Sequence, residues 1–302
     1  MGVYLSVPET SKQVVTGESQ RVRYASAEMQ GWRTTMEDAD VVDLQVPGGL
    51  IVAGVFDGHG GKDVSKYTAR VFVRELTTCG QFLTGNYPEA LSTTFLHIDE
   101  LLRTPAVKEE LARTSSDSQD GDYIINNSGC TAVVALLTQR EIYVANAGDS
   151  RCVLGRAGGA VQMSFDHKPN LPVESQRISK AGGYVVEGRV MGNLNLSRSL
   201  GDLTYKDNRD LPPQDQMITA YPDVRKDALT EDTDFVVIAC DGVWDVMTCE
   251  QCVNFVYSGL SEGRTPAQIV ESLLDACIAK DVTSSGGLGC DNMTCVLLVF
   301  KH

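Results

Sequence analysis

The chain has no apolar run approaching the ~20 residues a membrane-spanning helix needs, and no secretory signal is visible in it. It has no basic excess either: 26 Lys plus Arg stand against 40 Asp plus Glu, a net charge of −14. Phosphate backbones repel such a surface, which argues against a nucleic-acid binder. Cysteine is present, nine residues in all, but without regular spacing. An odd set of scattered thiols in a chain of 302 residues makes no disulfide framework, so free thiols in a reducing compartment are expected. The lone C-x-x-C, Cys249 and Cys252, follows Thr248 with Gln251 three residues on. That is a helix-start pattern, so the pair reads as one helical turn and not as a zinc or redox site. Cys240 and Cys290 read as small core residues. No internal repeat is present.

What the chain does have is a strand that runs straight into an acid, twice. Leu50–Phe56 is apolar throughout and is followed by Asp57-Gly58-His59-Gly60-Gly61; Asp234–Ala239 is followed by Cys240-Asp241-Gly242. An uninterrupted apolar run predicts a strand buried on both faces, and glycine after the acid predicts a sharp turn at the rim of the core. Further strands are expected over Val22–Ala27, Asp40–Val46, Thr131–Leu137, Glu141–Asn146, Arg151–Gly155 and Met293–Phe300. Helices are expected over about Lys62–Leu76 and Pro88–Leu102, where apolar residues recur at helical spacing. Another follows Thr265-Pro266, with Ile269, Val270, Leu273, Leu274, Cys277 and Ile278 as its apolar stripe. Residues 1–20 read as a polar arm, Arg113–Asn127 as disordered, and Ser164–Val186 as a loop with a short helix over Val173–Ala181. Strands in hairpin-spaced runs and helices in pairs predict an α+β domain with two antiparallel sheets face to face and helices outside.

Asp57, Asp149, Asp241, Asp245 and Asp291 all sit at strand ends or tight turns, and Glu37-Asp38 follow Gly31–Met36. Singly, an Asp in a turn is explained by bonding to backbone. Together they outnumber the neighbouring Lys and Arg, and charges so close to core sequence must be paired or bind metal. Oxygen ligands without a His/Cys cluster indicate Mg²⁺ or Mn²⁺ over zinc. Two such ions roughly 4 Å apart would share a bridging Asp and lower the pKa of a water between them. Phosphorus is the natural target, because phosphoryl transfer depends on positioning and charge neutralisation. Arg33, four residues before Glu37, can offer a fork to phosphate oxygens. His59 can protonate a departing alkoxide. Taken alone, Arg33 reads as a surface ion-pair partner and His59 as a turn residue.

Seven segments then resemble one family in its order and spacing. They are Arg33–Asp38, Asp57–Gly61, Gly129–Ala132, Asn146–Arg151, Ser197–Asp202, Asp241–Asp245 and Gly289–Thr294, and the chain is identified by them as a member of the metal-dependent Ser/Thr protein phosphatases of type 2C. The resemblance implies a four-layer αββα sandwich over residues 21–302 with the site in the cleft between the sheets. It implies a two-metal site of Glu37, Asp57, the Gly58 carbonyl, Asp241 and Asp291, with Asp38 holding metal-bound waters and Asn292 supporting Asp291. Asp149 and Asp245 match positions that bind a weaker third ion. The implied reaction is hydrolysis of phosphoserine and phosphothreonine in proteins by a metal-bridging hydroxide in line with the leaving group, with Arg33 binding phosphate and His59 as general acid. Ser164–Val186 falls where the family has a mobile flap.

Met1–Ser6 fits the myristoylation pattern at Gly2 and is similar to the acylated start of some members. A single acyl chain gives only weak, reversible membrane attachment. The expected protein is a cytoplasmic monomer in signalling, acting on phosphorylated proteins, with no bar to the nucleus. Two rival readings are a catalytically silent binding protein of the same fold and a hydrolase of small phosphorylated molecules. The first requires lost metal ligands, and here every ligand position keeps its residue.

Overall fold

Strand β4 (Leu50–Phe56) divides its side chains between two cores: Ile51, Ala53 and Val55 face one, Leu50, Val52 and Phe56 the other. The computed structural model, which describes residues 4–115 and 120–301, shows that this division organises the whole chain. One sheet has six antiparallel strands, in the order β1 (Tyr4–Glu18), β2 (Val22–Arg33), β16 (Met293–Phe300), β15 (Thr233–Ala239), β9 (Arg151–Arg156) and β10 (Gly159–Gln162). The second has five: β14 (Asp223–Ala228), β8 (Glu141–Ala147), β7 (Ala132–Leu137), β4 and β3 (Ala39–Val46). Between them lies a core that includes Ile51, Val55, Val133, Val236, Ile238 and Val296.

Helices close both outer faces. Helices α1 (Asp63–Thr78) and α3 (Tyr87–Leu102) cover the five-stranded sheet through Phe72, Leu76, Phe95 and Ile98, backed by α2 (Gly80–Leu83), α4 (Pro105–Thr114) and α5 (Gly121–Asn127). Helices α8 (Cys249–Ser261) and α9 (Pro266–Cys277) cover the other sheet, with Ile269, Leu273 and Leu274 against Ala25, Val237 and Leu297. Each begins with a two-way capping box, Thr248 with Gln251 and Thr265 with Gln268. The result is the expected αββα sandwich. Each buried Val, Leu or Phe contributes roughly 1.5–3 kcal/mol, so β4 and β15, packed on both faces, are firm supports for the acids that follow them.

Smaller elements trim the ends. Helices α6 (Pro172–Lys180), α7 (Asp241–Trp244) and α10 (Val282–Ser285) are short; β11 (Val185–Val186) and β12 (Arg189–Val190) form a hairpin. A three-stranded ribbon joins β13 (Leu200–Gly201), β6 (Gly129–Cys130) and β5 (Gly58–His59). All nine cysteines are unpaired, and Cys240, Cys252 and Cys290 are buried.

Two sequence expectations need correction. Residues 4–18, expected within a polar arm, form β1, which pairs with β2 from Glu18↔Arg23 back to Tyr4↔Arg33. An edge strand can be polar on both faces, and its register breaks near Glu9 and Lys12 blunt the open edge. Most of Arg113–Asn127, expected to be disordered, is ordered: α4 runs to Thr114, and Asp120 caps α5 by accepting from the Tyr123 amide. Residues 116–119 lie outside the described residues, as does Gly2, the expected acylation site. No helix among the described residues is long and apolar enough to cross a membrane.

Candidate active site

The acids converge because the two sheets present the same end. Asp57 follows β4 directly, and Asp241 follows β15 after one residue. Asp149 sits in the β8–β9 turn, Asp291 leads into β16, and Glu37-Asp38 occupy the β2–β3 connection. A cavity of about 220 Å³ at this end is lined by Asp57, Asp149, Asp241 and Asp291, by Glu37 and Asn292, and by Arg33, Gly58 and His59. Asp38 is buried beside it, and Asp245 lies one turn of α7 beyond Asp241.

Carboxylate oxygens of Asp57, Asp149 and Asp241 all fall within 4.8 Å of one another. Like charges at about 4 Å repel by about 4 kcal/mol at an effective dielectric of 20. Burial first, and then this repulsion, pushes the Asp57 and Asp241 carboxyls well above the usual carboxylate range. Burial likewise pushes Asp38 up to about 7 and raises Asp245. Asp38 Oδ2 accepts from Thr294 Oγ1 at 2.8 Å, while its Oδ1 is buried with no partner among the described residues. An orphaned buried oxygen beside three clustered carboxylates fits a hard divalent cation, whose charge would resolve both deficits. Cys240 also lies within ligand distance of Asp38 and Asp57. Burial holds its thiol protonated, however, and its Sγ accepts from the Thr294 amide, so it belongs to the wall and not to the donor set.

The surrounding chain is shaped to this cluster. A Cβ on Gly58 would lie 2.2 Å from the Glu37 carbonyl oxygen, so only glycine lets these segments touch. Asn292 ties them together: its Oδ1 accepts from the Glu37 amide at 2.9 Å, and its Nδ2 donates to the Gln30 and Thr35 carbonyls. Arg33 donates from Nη2 to Asp291 Oδ2 at 2.6 Å. Burial works against its charge, and Asp291 more than offsets this. His59 Nε2 lies 2.7 Å from Asp202 Oδ2. Burial opposes the imidazolium, but Asp202 outweighs it and raises the His59 pKa.

The family model described as protein phosphatase 2C matches residues 22–286. The chain belongs to the protein phosphatase 2C family. It is 45% identical over 301 residues to a probable protein phosphatase 2C of Paramecium tetraurelia, covering all of both chains. It is 40% identical to one of Arabidopsis thaliana over 333 aligned positions, covering all of this chain and 93% of the relative. A crystal structure of a Toxoplasma gondii serine-threonine phosphatase 2C shares the fold, with TM-score 0.77 at 23% identity, covering 96% of this chain and 99% of that one. This member of the family is therefore a metal-dependent protein serine/threonine phosphatase.

Two residues of this phosphatase escaped the sequence reading. Lys168, in the segment expected as a flap, places its ammonium on Asp149 Oδ2. Burial opposes that charge, and Asp149 overrides it and raises the lysine pKa. A single lysine in a loop carries no signal of this. Asp202, the partner of His59, closes the quoted segment Ser197–Asp202, yet lies 143 positions from the histidine. The expected flap is also anchored: Arg151 donates twice to Asp166, at 2.6 and 2.8 Å. Glu174 accepts from Arg198 and Ser197 as well as from Arg177.

Proposed function

We propose that this chain hydrolyses phosphoserine and phosphothreonine in proteins with Mg²⁺ or Mn²⁺ as its ions. Glu37, Asp57, the Gly58 carbonyl, Asp241 and Asp291 would hold two of them, Asp38 would orient the waters around them, and Asp149 with Asp245 would take a weaker third. The observation that carries this reading is the approach of the Asp57, Asp149 and Asp241 oxygens to within 4.8 Å, under a cavity with a guanidinium on its rim. When bound, such ions supply Lewis acidity, neutralising phosphate charge and making water acidic enough to attack near neutral pH.

The chain's own groups do the rest. Arg33, exposed enough to swing from Asp291, would bind two phosphate oxygens through its fork. His59 would give a proton to the serine or threonine oxygen as its bond to phosphorus breaks. Asn292 would keep the Glu37 and Asp291 segments in register. As a further part of this proposal, the Met1–Ser6 pattern supports acylation of Gly2 and weak membrane attachment of a cytoplasmic, monomeric enzyme. Intact-mass measurement and vesicle flotation test that part.

The main test is phosphate release from a phosphothreonine peptide with Mn²⁺ or Mg²⁺, with and without chelator, for the wild type and Asp241→Asn. Release should require the ion and collapse in the variant. Wild-type protein inert at every metal concentration would refute the reading.

A further inference from the structure

The ribbon β13-β6-β5 reaches the cavity through Gly58 and His59 of β5. Its register sets His59 opposite Gly129, and Gly129 opposite Gly201 on the other side. His59 and Asp202 thus approach each other across a residue without a side chain. A Cβ on Gly129 would lie 2.3 Å from Asp202 Oδ2, so the carboxylate fills the space that glycine leaves. Asp202 is 3% exposed and holds a left-handed backbone, φ 50°, ψ 41°. That conformation costs a non-glycine residue about 1–2 kcal/mol, and a buried charge costs more.

Both costs are met by a built surround. The Asp202 amide donates to the Ser128 carbonyl at 3.0 Å. Ser199 Oγ donates to Asp202 Oδ2. Behind them, Lys206 Nζ donates to the Ser199 carbonyl at 2.7 Å and to Asp99, and Asp99 Oδ1 accepts from the Gly201 amide at 2.8 Å. Ser199, Lys206 and Asp99 are themselves buried. A fixed acid aimed at one ring nitrogen is how enzymes set the tautomer and angle of a working histidine.

We propose that Asp202 is a positioning residue: reached across Gly129, its carboxylate accepts the Nε2 proton of His59, fixes the ring, and leaves Nδ1 as the nitrogen that faces the cavity. A carboxylate can only accept, so Nε2 is the donor in this pair. No other hydrogen bond to the ring exists among the described residues. The inference deepens the general-acid reading of His59 and rests on it for its chemistry. As the phosphorus–oxygen bond breaks, its electron pair goes to the side-chain oxygen and the Nδ1 proton follows. The imidazole is left neutral, with its Nε2 proton still donated to Asp202, and the oxygen of the attacking water stays on phosphorus.

The test compares full-length His59→Gln, Asp202→Asn and the double variant, with Mn²⁺, on a phosphothreonine peptide and on p-nitrophenyl phosphate. Asp202→Asn should slow kcat on the peptide by about tenfold or more, change the nitrophenyl ester little, and add nothing in the double variant. Losses that multiply in the double variant would overturn the proposal. A second readout is independent of activity: imidazole ¹⁵N spectra of the metal-free protein should show His59 protonated at Nε2, with both ring signals moving in Asp202→Asn. Spectra unchanged by the substitution would also overturn it. If His59→Gln slows both substrates alike, the general-acid reading fails, while the double-variant comparison and the spectra still decide the coupling. Should Asp202→Asn not fold, Ser199→Ala, which removes one donor and keeps the carboxylate, should give a smaller effect of the same kind; none at all would count against the proposal.

Discussion

Arg33 Nη2 sits 2.6 Å from Asp291 Oδ2, so the guanidinium expected to meet phosphate is paired with an acid expected to meet a cation. The two duties exclude each other at one oxygen, and an ion reaching Asp291 would release Arg33 toward the cavity. Arg33→Ala should therefore weaken substrate and not metal. We expect kcat/KM on a phosphopeptide to fall about tenfold to a hundredfold, the worth of charge-assisted hydrogen bonds. Mn²⁺ affinity by calorimetry should hold or tighten, and a marked loss of it would contradict this account.

Gly58→Ala should damage the centre without touching a charged group. Its Cβ would meet the Glu37 carbonyl oxygen at 2.2 Å and Ser65 Oγ at 2.9 Å. Such overpacking costs about 1–3 kcal/mol, and the segments carrying Glu37 and Asp57 would part. Thermal melts should show the loss, and metal titration a weaker endpoint.

Metal-free protein should lose stability as pH rises. Burial raises Asp38 from 3.8 to about 7, and Asp57 and Asp241 are raised as well. Across that window the folded state binds more protons than the unfolded state. The contribution of these acids is therefore full below the unfolded pKa and is lost as pH climbs through the folded one. Urea midpoints with chelator should fall between about pH 5 and pH 8, and saturating Mg²⁺ or Mn²⁺ should flatten the slope. A midpoint that rises over this range would reverse the sign.

Glu174 should hold the segment above the site in place. Burial would raise its pKa, but Arg198 and Arg177 hold it down to about 2. Arg198 also donates to Asp223 at 2.8 Å, so the network joins α6 to β14. Breaking a buried pair on one side costs about 3–5 kcal/mol. Glu174→Gln should speed hydrogen exchange across residues 164–223 and leave β4 and β15 protected; uniform exchange throughout the chain would argue for global unfolding instead.

The sequence made legible what local pattern controls. β4 was legible because both its faces are buried, α8 because its cap is written as Thr-x-x-Gln, and α9 because Thr265-Pro266 opens an apolar stripe at helical spacing. The acids were legible because charge at the end of an apolar run has few explanations. Edge strands left no such mark. β14 reads Asp-Val-Arg-Lys-Asp-Ala and pairs only with β8, so nothing demands apolar alternation on its open side. β1 was missed for the same reason, and β10 is a four-residue edge. The pairing of His59 with Asp202 was out of reach because it depends on ribbon register, which no local spacing encodes.

Asp57 hangs from one sheet and Asp241 from the other, so the spacing of the two sheets governs how closely these acids approach. Ile51 and Val55 on β4, Val236 and Ile238 on β15, and their neighbours act as the shim that sets this gap. A methylene added to or removed from that layer, far from any charged group, would widen or narrow the jaws at the rim. Metal affinity in this chain is thus tunable from its driest interior.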